Sequence, residues 1–252
     1  KIIDASWHLL KKRNATEEYK KEHIENAIFF DLDKNSNQMK DLPHGHFLPP
    51  LSEHEKNVSK MGISNTDRVI IYCYSDLISS CRAWFQFLYF GHNPKLVSVL
   101  NGGMKKWKLE ERRVTSTITK IIPSKYKAKE NKNMIKIKSE IDRNIEKKEF
   151  TILDARSKNR FLGLEPEPRP GIKSGAIKGS KSMPFNKIVN SKDNTFLNTK
   201  KLRDVFNSSK ISSNEIVMSC GSSVSAATLA LAYSLINDDY IPKIYIGSWT
   251  EF

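Results

Sequence analysis

The sequence predicts an α/β protein made of two tandem copies of one domain, each a mostly parallel sheet flanked by helices. Three observations carry that prediction. Short apolar runs suited to buried strands alternate with helical stretches, the pattern of parallel strands joined by crossover helices. The same signals then return in the same order in the second half of the chain. The 252 residues are 38% hydrophobic, enough for two ordinary cores.

Taken in order, Ile2-Ile3-Asp4 in "KIIDAS" reads as a strand, and "TILDAR" (Thr151–Arg156) answers it. "EHIENAIFFD" (Glu22–Asp31) is answered by "SGAIKGSKSMPF" (Ser174–Phe185). "VIIYC" (Val69–Cys73) is a buried strand before the helical "SCRAWFQFLYFG", and "EIVMSC" (Glu215–Cys220) stands likewise before "AATLALAYSL". "VLNGGMKKW" (Val99–Trp107) is answered by "IYIGSWTEF" (Ile244–Phe252). Matches in one order indicate duplication. Between the copies, Glu110–Lys138 is charged and poor in core pattern, apart from "TSTITKII", and reads as an extended linker leading into a short helix near Ser139–Lys147. The expected division is a first domain over 1–120, a linker over 121–132 and a second domain over 133–252.

The formal charge is +14, from 42 Lys and Arg against 28 Asp and Glu, and favours anionic partners. The excess lysines are scattered among Asn and Ile and read as a solvated surface. Zinc-type cysteine pairs and an arginine stripe interleaved with aromatics are both absent from the sequence, so nothing points to nucleic acid. No apolar run approaches the roughly 20 residues of a membrane span. "KIIDASW" lacks the design of a signal peptide, and both ends read as those of a fragment. The three cysteines, Cys73, Cys81 and Cys220, are odd in number and widely spaced. That argues against a disulfide framework and for a reducing compartment, the cytoplasm or, in a eukaryote, the mitochondrion.

Cys220 is the residue that asks for chemistry. It ends a strand, precedes a helix and is followed by the small residues Gly221, Ser222, Ser223, Val224 and Ser225. A thiolate is the reactive form of cysteine, and the N–H groups at a helix start favour an anion. A nearly bare loop lets backbone N–H groups turn inward and cradle one. The alternative at this point is a buried cysteine that merely closes a core strand.

The loop "CGSSVSA" resembles the active-site loop of mercaptopyruvate sulfurtransferases in the rhodanese superfamily, and "FFDLD", "HFLP", "LDAR", "NRF", "EPEPRPG", "SCGS" and "GSWTEF" fall in that family's order. The resemblance implies two rhodanese-like domains with chemistry only in the second. It implies that Cys220 is the nucleophile that takes a sulfane sulfur as a persulfide and passes it to a thiol or to cyanide. The N–H groups of Gly221 to Ser225 would hold that sulfur. Arg160 in "KNRF" and Arg169 in "EPEPRPG" would bind the donor's carboxylate and keto oxygens, work suited to a planar guanidinium fork. Ser222, His46 and Asp33 would manage protons, the last two from the first domain, with the site in the cleft between domains. "PHGHFLPP" offers His44 beside His46, and His46 is preferred. The implied partners are a small sulfur donor and a thiol acceptor such as thioredoxin or a small thiol. No cofactor is called for, and a monomer is expected.

Basic residues in the loop mark the thiosulfate-preferring members of the family. Ser222 and Ser223 stand there instead, so 3-mercaptopyruvate is the expected donor, with thiosulfate as the alternative. Ser223 replaces the family's glycine and would cost about 1 kcal/mol if the position needs a positive φ. A non-catalytic sulfur-carrier or binding module is the reading that this departure keeps open. A cysteine phosphatase is excluded, since the arginine needed six residues after the cysteine is Ala226. Cys73 is expected to be inert, its ionisation opposed by a neighbouring carboxylate such as Asp76. His44, His46 and His54 do not have the spacing of a metal site, and "NGGMKKW" is not a nucleotide loop.

Overall fold

The computed structural model describes residues 1–9, 13–39, 42–209, 211, 213 and 215–252. These form two compact units. One comprises Lys1–Asn37, Leu48–Lys132 and Lys192–Thr195, the other Gln38–Phe47, Asn133–Ser191 and Phe196–Phe252.

The first unit opens with β1 (Ile2–Asp4), α1 (Ala15–Lys21) and β2 (Ala27–Phe29). Asn14 caps α1, its side chain accepting from the N–H groups of Thr16 and Glu17. The chain then makes a two-stranded sheet of β3 (Asn37–Met39) and β4 (Leu42–Phe47). It continues through α2 (Leu51–Lys60), β5 (Val69–Tyr72), α3 (Ser80–Tyr89), β6 (Val97–Val99) and α4 (Gly103–Leu109). The main sheet runs β2-β1-β5-β6, every pair parallel. Tyr19, Ile24, Ala27, Tyr72 and Met104 form one core cluster. The helix α3 is buried at every position, so Arg82 and Gln86 lie inside with its aromatics.

The second unit contains β7 (Ile135–Lys136), α5 (Lys138–Lys147), β8 (Thr151–Asp154), α6 (Lys158–Phe161), β9 (Lys181–Ser182) and α7 (Thr199–Ser208). It ends with β10 (Ile216–Ser219), α8 (Val224–Ser234), β11 (Ile244–Tyr245) and α9 (Ser248–Glu251). Its sheet is β7-β11-β10-β8-β9, again parallel throughout. The helix α8 is apolar around most of its circumference, which is why it can pack on β10 and β11 on one side and meet α7 on another.

The duplication is visible in single hydrogen bonds. The Ala5 N–H donates to Tyr72 O and the Ala155 N–H to Ser219 O, both at 2.8 Å. The Met104 N–H reaches Cys73 O at 3.0 Å, as the Trp249 N–H reaches Cys220 O at 2.9 Å. The order β2-β1-β5-β6 maps onto β9-β8-β10-β11, with β7 added at the edge.

The units differ from the division read in the sequence at three places, one of them Lys192–Thr195, which falls in the first unit. Residues 121–132 join the first unit because they are tied to it. Ser124 donates its N–H to Ser59 O at 2.9 Å and its hydroxyl to Ile63 O at 2.6 Å, while Asn65 and Lys127 exchange two hydrogen bonds. Tyr126 is buried and stacks on His92. The segment Gln38–Phe47 joins the second unit, where β4 packs against α9. No helix among the described residues is long and apolar enough to cross a membrane.

Candidate active site

Cys220 follows the last residue of β10, is 1% exposed, and is separated from α8 by Gly221, Ser222 and Ser223. The orientation of that short loop is set by α9. The N–H groups of Trp249 and Thr250 donate to Cys220 O (2.9 Å) and Gly221 O (3.0 Å), and the Thr250 hydroxyl adds a second bond to Gly221 O at 2.5 Å. In a trans peptide the carbonyl and the next N–H point opposite ways. The N–H groups of Gly221 and Ser222 are therefore turned away from α9, and those of Val224 and Ser225, in the first turn of α8, lack intrahelical acceptors. The Ser223 N–H does not join them. With Ser223 in the left-handed region (φ 61°, ψ 2°), that N–H bonds to Ser248 Oγ at 3.0 Å, whose own hydroxyl donates to Tyr245 O. The five-amide cradle expected from the sequence thus loses one member to Ser248.

Gly221 has a steric reason to be glycine. A Cβ there would stand 3.0 Å from Arg160 Nη2, so the guanidinium lies directly over the loop. Arg160 comes from α6, which Ser157 caps by accepting from the Arg160 N–H. Its Nε and Nη2 both donate to Glu167, Nε at 3.2 Å. Glu167 is held in turn by Arg156, whose Nη1 donates to Oε1 at 2.7 Å. Arg156 is fully buried, grips Asp154 through Nε and Nη2, donates to Gly175 O at 2.8 Å, and lies 4.9 Å from the centre of the Trp249 ring. Burial opposes its charge, but hydrogen bonds and charge from Asp154 and Glu167 prevail and raise its pKa above the usual arginine value.

His46 Nδ1 lies 3.0 Å from Ser222 Oγ, both groups buried, with the donor set by which ring nitrogen carries the proton. Ser223 Oγ also donates to His46 O at 3.2 Å, so β4 is pinned to the loop. His46 belongs to the second unit, in contrast to the first-domain origin expected. The side chain of His44 lies outside the described residues. Asp33 belongs to the first unit, where its carboxylate accepts from Trp7 Nε1 at 2.9 Å. Arg169 is half-buried two residues after Glu167. The structure thus gathers Cys220, Gly221, Ser222, Ser223, Val224, Ser225, His46 and Arg160.

Arg156, Glu167, Ser248, Trp249 and Thr250 were not singled out by sequence reasoning. Their segments "LDAR", "EPEPRPG" and "GSWTEF" stood out, but nothing in a linear pattern says which side chain anchors which. In the first unit, burial pushes the Cys73 thiol up on balance, against hydrogen bonding with Ser80, to whose hydroxyl oxygen Sγ donates at 3.3 Å. The carboxylate that adds to the rise is Asp4; Asp76 is exposed.

The model of the rhodanese-like domain family matches residues 1–110 and 138–252. The chain is 34% identical to human 3-mercaptopyruvate sulfurtransferase, across 100% of this chain and 84% of that protein. It is 34% identical to mouse thiosulfate sulfurtransferase, with the same coverage. Among solved structures, SseA of Escherichia coli, described as a 3-mercaptopyruvate sulfotransferase, superimposes with a TM-score of 0.86 at 27% identity, covering 98% of this chain and 92% of that one. Tum1 of Saccharomyces cerevisiae gives 0.87 at 26% identity, covering 99% and 87%. The chain belongs to the rhodanese family, in the tandem-domain group that holds the 3-mercaptopyruvate and thiosulfate sulfurtransferases.

Proposed function

We propose that this sulfurtransferase takes its sulfur from 3-mercaptopyruvate, carries it as a persulfide on Cys220 and delivers it to a thiol or to cyanide. The observation that supports the reading is a short loop directly after Cys220 whose carbonyls are held by α9, with the Arg160 guanidinium over Gly221. The Cys220 thiolate attacks the donor sulfur. The carbon–sulfur bond breaks, and its electron pair passes into the enolate of pyruvate. The donor's thiol proton, moved through Ser222 and His46, ends on that carbon. Pyruvate leaves and Cys220 keeps a persulfide anion, whose charge the N–H groups of Gly221, Ser222, Val224 and Ser225 stabilise. An acceptor thiol then gives up its proton, attacks the outer sulfur and leaves as a persulfide, returning the Cys220 thiolate. Arg160, with Arg169, holds the donor's carboxylate and keto oxygens, and Asp33 is read as the orienting carboxylate of the proton relay.

Thiosulfate remains the second donor, because relatives named for either donor match this chain at the same 34% identity. The uncharged Ser222 and Ser223 favour the mercaptopyruvate side. Acceptors are read as thioredoxin-like or small thiols, and the place of action as a reducing compartment, cytoplasm or mitochondrion. One plant relative is named as mitochondrial.

The test is intact mass after exposure to 3-mercaptopyruvate without acceptor. The unaltered protein should gain the mass of one sulfur atom and Cys220→Ser should gain none. Sulfur uptake by Cys220→Ser, or none by either protein with both donors, would refute the assignment.

A further inference from the structure

A donor carboxylate needs a free guanidinium fork, yet Arg160 already pairs with a carboxylate of its own. The Nε and Nη2 edge of Arg160 faces Glu167. Two explanations compete. Either Glu167 occupies the donor's place and must swing out, or it stays and fixes the ring so that the other fork faces the loop.

The geometry favours staying. The Glu167 side chain is 2% exposed, and its Oε1 is shared between Arg160 and Arg156. Arg156 cannot follow a departing Glu167, because Asp154, Gly175 O and the Trp249 ring hold it on its remaining sides. Swinging Glu167 out would leave the buried Nη1 of Arg156 without its carboxylate acceptor, since Asp154 engages Nε and Nη2. The second fork of Arg160, Nη1 with Nη2, is turned the other way, and Nη2 is the atom that lies over Gly221.

Resting on the sulfurtransferase reading above, we propose that Glu167, fixed by Arg156, is the positioning residue that aims the second fork of Arg160 at the carboxylate of a 2-oxo acid donor. Glu167 touches no reacting atom. It converts a flexible side chain into a preset one, so that donor binding does not have to order it. A charge effect alone would act the other way: removing a carboxylate beside Arg160 would strengthen its pull on any anion. The sign of the change therefore separates aiming from simple electrostatics.

The experiment compares the unaltered protein, Glu167→Gln and Glu167→Asp. Steady-state turnover of 3-mercaptopyruvate is measured together with alkylation of Cys220 by iodoacetamide, a neutral reagent without a carboxylate. Glu167→Gln should raise KM for 3-mercaptopyruvate about tenfold with a smaller change in kcat, and leave the alkylation rate within about twofold. Glu167→Asp, which keeps the charge but shortens the reach, should fall between. An unchanged or lowered KM overturns the proposal, as does alkylation that shifts in parallel with KM, the mark of a loop merely disordered. Should Glu167→Gln fail to fold, the same two readouts on Glu167→Asp decide in the same way. Failure of the unaltered protein to turn over 3-mercaptopyruvate, with alkylation intact, would instead reject the donor reading on which the proposal rests, and the proposal with it.

Discussion

Ser223 carries a left-handed backbone conformation that costs a side chain about 1 kcal/mol. Its hydroxyl repays something like that by donating to His46 O. The two contributions can be separated by substitution. Ser223→Gly removes both strain and hydroxyl, whereas Ser223→Ala keeps the strain and loses the bond. Ser223→Ala should therefore be less stable than Ser223→Gly by about 1 kcal/mol in chemical denaturation; equal stabilities would mean the strain is absent. At this scale the sequence was informative about type and silent about partnership. Cys220 could be nominated because a lone cysteine before a nearly bare loop is distinctive, and Arg160 and His46 because their segments resemble the family's motifs. Ser248, which takes the Ser223 N–H, could not, because a hydroxyl in a Gly-Ser-Trp turn has no distinguishing pattern until the fold brings it across.

At the level of elements, the strand-to-helix passage around Cys220 was readable because a β-branched run gives way to alanines and leucines, two periodicities that compete poorly with each other. The pair β3 and β4 was not. Pro43 and Gly45 make that stretch read as a turn, and it is anchored by long-range contacts to α9 and Ser223 rather than by any pattern of its own. The short helix α9 acts as a clamp on loop carbonyls. Thr250→Ala keeps the N–H bond to Gly221 O but removes the hydroxyl bond, so it should destabilise the protein by about 1 kcal/mol and speed alkylation of Cys220. An alkylation rate equal to that of the unaltered protein would show that the clamp does not govern the loop.

For the whole molecule, the first unit carries an element that should respond to acid: among the described residues it buries a cluster of His54, His92 and Tyr126. His54 is fully buried, stacks on Phe90 at 4.0 Å and accepts from Gln86 at Nδ1, leaving Nε2 without a partner among the described residues. Burial above all, helped by the charges of Arg82 and His92, pushes its pKa from 6.5 down to about 3. The unfolded chain takes up a proton near pH 6.5 that the folded chain refuses until about pH 3. This contribution to stability is present in full above pH 6.5 and is lost as pH falls towards 3, at up to about 1.4 kcal/mol per pH unit. His54→Phe keeps the stacking and abolishes the titration. Urea denaturation at about pH 7 and about pH 5 should show the acid-induced loss shrinking by about 2 kcal/mol in that variant. An identical loss in both proteins would remove His54 as its source. The duplication was legible at this scale because matches in one order survive even when each is weak. The grip on residues 121–132 was not, because Tyr126 sits alone among charged residues and its burial depends on rings from His92 and His54.

One inherited feature bears on how such a protein could be rebuilt. Cys73 O is held by the Met104 N–H just as Cys220 O is held by the Trp249 N–H, although the loops that follow the two cysteines have diverged. The first unit thus keeps the chassis and has exchanged the cartridge. For a designer seeking a second sulfur-handling centre in this chain, the part to graft is Tyr74–Ser79, shortened to the length of Gly221–Ser223, onto a strand, helix and carbonyl grip that are already in place.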